Sequence, residues 1–94
     1  MDSIKFIFNF KNEKAFLAED VLDEMHKDSN MFIDKIGPGR VIFEKTLKEY
    51  EIETFPVIIV GGSGHKNEIK IEGEKYFKDR TSIKKAISDA LMEV

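Results

Sequence analysis

From Ile4 to Phe10 every second residue is apolar, so Ile4, Phe6, Phe8 and Phe10 share one face of an extended segment, and Ile7 adds apolar character to the other. A strand apolar on both faces belongs near the middle of its sheet. The period then lengthens. Leu17, Ala18, Val21, Leu22 and Met25 form a helical stripe over residues 13–27, with Asn12 placed to cap it and Glu13 in its first turn. Asp28-Ser29-Asn30 is turn chemistry, and Met31 to Ile36 reads as a second strand interrupted by Asp34 and Lys35. Gly37-Pro38-Gly39 breaks the chain before a second helix from Arg40 to Tyr50, with Phe43, Leu47 and Tyr50 facing inward.

The second half returns to the period of a sheet. Val57-Ile58-Ile59-Val60 is a run of β-branched residues and predicts a fully buried strand just after Pro56. Gly61-Gly62-Ser63-Gly64 turns the chain. Glu68-Ile69-Lys70-Ile71-Glu72 alternates, so Ile69 and Ile71 point inward while the outward charges blunt a sheet edge. A last helix starts near Thr81 or Ser82 with Ile83, Ile87, Ala90 and Leu91 as its stripe. The order β-α-β-α-β-β-α predicts an α/β domain, a parallel βαβ unit followed by a hairpin and a closing helix. One mixed four-stranded sheet, strand order 2-1-3-4 with helices on both faces, satisfies it.

Composition narrows the chemistry more than the architecture. The 94 residues are enough for a single domain spanning 1–94, and 41% hydrophobic residues are too many for a disordered chain. There is no cysteine, which excludes disulfides, thiolate metal sites and every thiol mechanism. His26 and His65 are far apart in the chain, so neither a metal nor any other cofactor is expected. The net charge of −3 shows no electrostatic footprint for nucleic acid. Met1-Asp2-Ser3 opens no signal peptide and no apolar run approaches the length of a membrane span, so a cytoplasmic domain without membrane contact is expected.

The element order, with a proline directly before the third strand, resembles the thioredoxin and glutaredoxin fold. Tyr50-Glu-Ile-Glu-Thr-Phe-Pro-Val-Ile-Ile-Val60 is similar to that superfamily's tyrosine, connector, cis-proline and buried strand. Lys70-Ile-Glu-Gly73, with the polar turn and helix after it, resembles the fourth strand, its glycine and the final helix. The resemblance covers nearly the whole chain. It implies a site where the first strand–helix junction, the loop before the proline and the loop after the fourth strand converge: Asn12, Glu13, Phe55, Pro56, Gly73 and Glu74. Redox members carry Cys-x-x-Cys at that junction. Counting back from the first helix, the slot falls on about Asn12-Glu-Lys-Ala15, with no sulfur and no serine substitute. Dithiol exchange and deglutathionylation by a cysteine are therefore excluded. The acidic-serine pair that glutathione transferases place after this strand is also missing, since Val60-Gly-Gly-Ser-Gly-His65 has no acid beside Ser63.

The other candidates have simpler explanations. No Lys-Ser/Thr follows the glycine run at 61–64, so it is a hairpin and not a phosphate loop. Arg40, before the second helix, is a candidate for an anion site, although a loop ending in a helix start explains the same residues. Glu13, Glu19, Asp20, Asp23 and Glu24 read as a solvated helix face, as do Lys75, Lys78, Arg80, Lys84 and Lys85. His26 sits at a helix end, where a cation complements the dipole. The expected function is a non-catalytic module without thiol redox activity that binds a protein or peptide partner or acts as a scaffold. The alternatives are an enzyme that binds glutathione or a related thiol and polarises its sulfur through Asn12 or a backbone amide, and a subunit whose exposed face or edge strand, residues 68–72, builds a homo-oligomer.

Overall fold

The computed structural model describes residues 2–10, 12–29, 31–61 and 67–94. The elements are β1 (Asp2–Ile7), α1 (Glu13–Asp28), β2 (Met31–Ile36), α2 (Ile42–Glu49), β3 (Val57–Gly61), β4 (Glu68–Ile71), a 3-10 turn (Glu74–Tyr76) and α3 (Arg80–Glu93). They form one sheet in the order β2-β1-β3-β4. β1 and β2 are parallel, registered from Asp2 opposite Met31 to Ile7 opposite Ile36. β3 runs antiparallel to β1, and β4 antiparallel to β3. The mixed sheet, its order and the edge position of the fourth strand are those expected from the periodicity.

The alternation along β1 and β3 divides the core between the two faces of the sheet. Ile4, Phe6, Ile58 and Val60 pack with Ala18 and Leu22 of α1 and Ile83 and Ile87 of α3. Ile7, Ile36, Val57 and Ile59 pack on the other side with Phe43 of α2 and Ile52. Both of β1's faces are therefore buried, as a central strand requires.

Several boundaries differ from the sequence reading, each for a physical reason. β1 ends at Ile7 and does not reach Phe10, because its last partners are Ile36 and Val57 and both neighbouring strands end there. The backbone at Gly37 then passes so close to the Phe8 ring that a Cβ on Gly37 would lie 2.6 Å from it. Phe8 still packs against the larger core, but Phe10 is 69% exposed. α2 is shorter than residues 40–50, and Val41 precedes it without a side-chain cap. α3 begins earlier than Thr81, because the Asp79 side chain accepts the Ser82 N–H at 2.7 Å and caps it. That bond, foremost, lowers the Asp79 carboxyl pKa. β4 stops at Ile71, one residue short of Glu72. Asp28 belongs to α1, and Ser29 closes that helix by donating its N–H and its hydroxyl to the Met25 carbonyl. Asn30, Gly62, Ser63, Gly64 and His65 lie outside the described residues. At Gly61, with φ +110°, a Cβ would meet the Asn67 carbonyl at 2.3 Å, so glycine is needed where the hairpin leaves β3.

Candidate functional site

Parallel pairing puts the C-terminal ends of β1 and β2 at one end of the sheet, and antiparallel pairing starts β3 and ends β4 there. The start of α1 from Asn12 and the loops at 54–56 and 72–74 consequently meet. They enclose a cavity of about 500 Å³ whose lining includes Asn12, Glu13, Phe55, Pro56, Gly73 and Glu74. All six residues singled out from the sequence are thus brought together. Lys14, Thr54 and Phe77 complete the lining. Phe77 is 2% exposed and belongs to the larger core, so the pocket has an apolar wall anchored in the interior.

Each lining residue is held by local structure. Asn12 is the N-cap of α1, and its Oδ1 accepts the Ala15 N–H at 2.9 Å. Residues 12 and 15, the two ends of the slot that would carry a dithiol, are therefore joined by a capping hydrogen bond. Phe55 stacks on Phe43 of α2 with ring centroids 6.1 Å apart and planes inclined by 19°. It is half-buried, one part of it packed on α2 and another lining the cavity. Pro56 is buried, and the Phe55–Pro56 peptide is cis. Among the described residues no hydrogen bond engages the N–H or the C=O of Phe55. Gly73 has φ +114° and open space where a Cβ would stand, so its conformation, not crowding, calls for glycine. Across the mouth, Lys14 Nζ lies 3.3 Å from Glu74 Oε1, tying the first turn of α1 to the 3-10 turn.

A set of interactions hidden from the sequence reading holds the α2–β3 connector, and with it Phe55. Glu72 Oε2 accepts the N–H groups of Glu53 and Thr54 at 3.3 and 3.5 Å. Lys70 Nζ donates to the Tyr50 carbonyl at 2.9 Å and sits 3.4 Å from Glu72 Oε1. The Tyr50 hydroxyl donates to Glu68 Oε2 at 2.7 Å. Partial burial opposes ionisation of Glu72, but the two backbone donors and the Lys70 charge outweigh it and lower its pKa. Burial, then the Glu68 contact, raises that of Tyr50. The outward charges of residues 68–72, expected to blunt a sheet edge, clamp in the fold the loop that carries the site. Their alternation was visible, but what they face was not.

The remaining candidates are accounted for elsewhere. The Arg40 guanidinium bonds Asp34 Oδ1 at 2.5 Å and the Lys35 carbonyl at 2.9 Å, so it is committed to the β2–α2 turn and not to an anion. His26 Nδ1 lies 2.7 Å from the Met31 carbonyl, an acceptor that calls for the proton on that nitrogen. Lys35 bridges Glu19 and Asp23, and Arg80 pairs with Glu24, which joins the acidic face of α1 to the start of α3. Burial pulls the Lys35 pKa down, but the two carboxylates prevail and raise it. Among the described residues no buried side-chain nitrogen or oxygen lacks a partner, and no group of three His, Cys, Asp or Glu is placed to hold a metal ion. No helix among them is long and apolar enough to cross a membrane.

This architecture, with a cis-proline site and no thiol, defines a cysteine-free thioredoxin-fold domain. Solved structures with the same fold include a point mutant of the thioredoxin of Halobacterium salinarum, at 12% identity and a TM-score of 0.69 over 96% of this chain and 74% of that one. Mitochondrial thioredoxin 3 of Saccharomyces cerevisiae aligns at 17% identity and a TM-score of 0.68, over 94% of this chain and 77% of its own. A chloroplastic thioredoxin z aligns at 15% identity and a TM-score of 0.69, over 96% and 78%. At such identities the likeness is one of fold. No protein-family model matches the sequence, and no curated protein is similar to it.

Proposed function

We propose that this chain is a non-catalytic, cytoplasmic binding module that takes an extended segment of a partner protein into the pocket between α1, the connector and the 3-10 turn. The observation that carries the reading is Phe55. Its backbone N–H and C=O are both free of partners among the described residues, beside a cavity whose apolar wall is formed by Phe55, Pro56 and Phe77. An extended peptide supplies the matching acceptor and donor while one side chain fills the cavity. Chloroplastic thioredoxin z, which shares the fold, is described as showing type-specific target recognition, a precedent for partner binding on this scaffold. Affinity is expected to be modest, because each hydrogen bond exchanged with water contributes only about 0.5–1.5 kcal/mol.

Glutathione fits the site less well. The free rim carboxylate of Glu13 meets its acidic groups with like charge, and the Asn12 oxygen is already taken by the cap. The binding reading is tested by partner capture from a lysate of the source organism. Phe55→Asp should abolish capture while the circular dichroism spectrum is unchanged, and Lys84→Glu on the far helix should leave capture intact. The opposite pattern would sink the groove reading and turn attention to the basic face of α3.

A further inference from the structure

The charges around the pocket point to the chemistry of its occupant. The lining contributes two carboxylates, Glu13 and Glu74, and one cation, Lys14. Lys14 is engaged with Glu74, so among the described residues Glu13 is left uncompensated. Of the other acids on α1, Glu19 and Asp23 share Lys35, and Glu24 pairs with Arg80. Asp20 is exposed, and no hydrogen bond or ion pair among the described residues engages it or Glu13. Between those two stands Phe16, three residues after Glu13 and four before Asp20, hence on the same stripe of the helix. Its ring is 53% exposed, an apolar surface flanked by two free carboxylates. The positive N-terminal end of α1 offsets part of the Glu13 charge, but that influence fades within the first turn and does not reach Asp20.

Resting on the groove reading above, we infer that the segment bound there is basic and apolar, with one Lys or Arg next to the apolar residue that enters the pocket and a second further along α1. One cation meets Glu13 at the rim and a second meets Asp20, with an apolar contact to Phe16 between them. Glu13 and Asp20 are about 10 Å apart along the helix axis, from a rise of about 1.5 Å per residue. That distance matches roughly three residues of extended chain. The occupant is therefore a segment with two cations about three residues apart and an apolar side chain between them. An acidic segment meets uncompensated like charge at both ends, which gives the site its selectivity.

The experiment uses the full chain and three fluorescein-labelled twelve-residue peptides, measured by fluorescence anisotropy. They share a Gly/Ser frame, a leucine for the pocket and a second leucine for Phe16, and carry Lys, Ser or Glu at two positions three residues apart on either side of that second leucine. The Lys peptide should bind about fivefold more tightly than the Ser peptide, the size expected for two exposed ion pairs, and the Glu peptide should bind weakest. The order should flatten in 0.5 M salt, which screens exposed pairs. A double charge swap, Glu13→Lys with Asp20→Lys, should invert it. The same charge change on α2, Glu44→Lys with Glu49→Lys, should not. Equal affinities for the three peptides, or an inversion by the α2 swap as strong as by the α1 swap, would overturn the charge inference and leave the groove standing. Failure of all three peptides to bind would overturn both readings together.

Discussion

On the face covered by α1 and α3, Ile4, Phe6, Ile58 and Val60 meet Leu22, Ile83 and Ile87 with essentially no exposed surface. Across the sheet α2 is only eight residues long, and it covers Ile7, Ile36, Val57 and Ile59 with Phe43 and the half-buried Leu47, helped by Ile52, Tyr50 and Phe55 from the connector. Beyond it the work passes to polar contacts, as Lys70 and Glu72 of the β4 segment hold the backbone of the connector. The contrast separates two ways of fixing geometry. Apolar burial is non-directional and supplies most of the stability, roughly 25 cal/mol per Å² of surface removed from water. Hydrogen bonds to a carboxylate contribute less energy but set where a loop lies. The site sits where the second takes over from the first.

The comparison breaks most easily in the larger core. Phe6→Ala should cost about 3–5 kcal/mol in urea unfolding, the usual loss for a buried Phe with its cavity. In a domain of this size that is a large fraction of the total stability. Peptide affinity, corrected for the unfolded fraction, should not change. A folded variant with a lost groove would show that the two faces are not independent.

Phe43→Ala tests the smaller core and should cost less, about 2–3 kcal/mol, since the site is shallower and can relax. It also removes the ring on which Phe55 stacks, so peptide affinity should drop several-fold even where the protein is folded. Loss of stability with unchanged affinity would argue that the connector alone positions Phe55.

The smallest expected effect sharpens the distinction. Glu72→Gln should cost about 1 kcal/mol at pH 7, because the bonds it weakens are long and partly exposed. The native pKa of Glu72 lies below its ordinary value, so its stabilisation is complete above the ordinary carboxylate range and is lost as pH falls through the native pKa. Urea midpoints of the two proteins should therefore differ at pH 7 and draw together as the pH falls below the ordinary carboxylate range and through the lowered native pKa. A gap that does not narrow as the carboxylate is protonated would mean that Glu72 acts through packing and not through its charge.

The resemblance to the thioredoxin fold pointed to the three loops of the candidate site; the sequence by itself determined the order of the elements, the two buried faces of β1, the edge position of β4 and the exclusion of thiol chemistry. Those properties follow from local periodicity, which records which side of an element is buried, and from composition, which records what chemistry is absent. Tertiary structure decided the rest. Register ended β1 at Ile7 and left Phe10 outside, although its alternation was unbroken. Pairing across the sheet brought Glu72 and Lys70 to backbone groups eighteen to twenty residues away, so charges that looked solvated became a clamp. Phe77 became a wall of the pocket because the 3-10 turn folds back beside α1, and Phe55 was divided between core and cavity by its stack on Phe43. A side chain's partner depends on long-range packing, and no period along the chain encodes it.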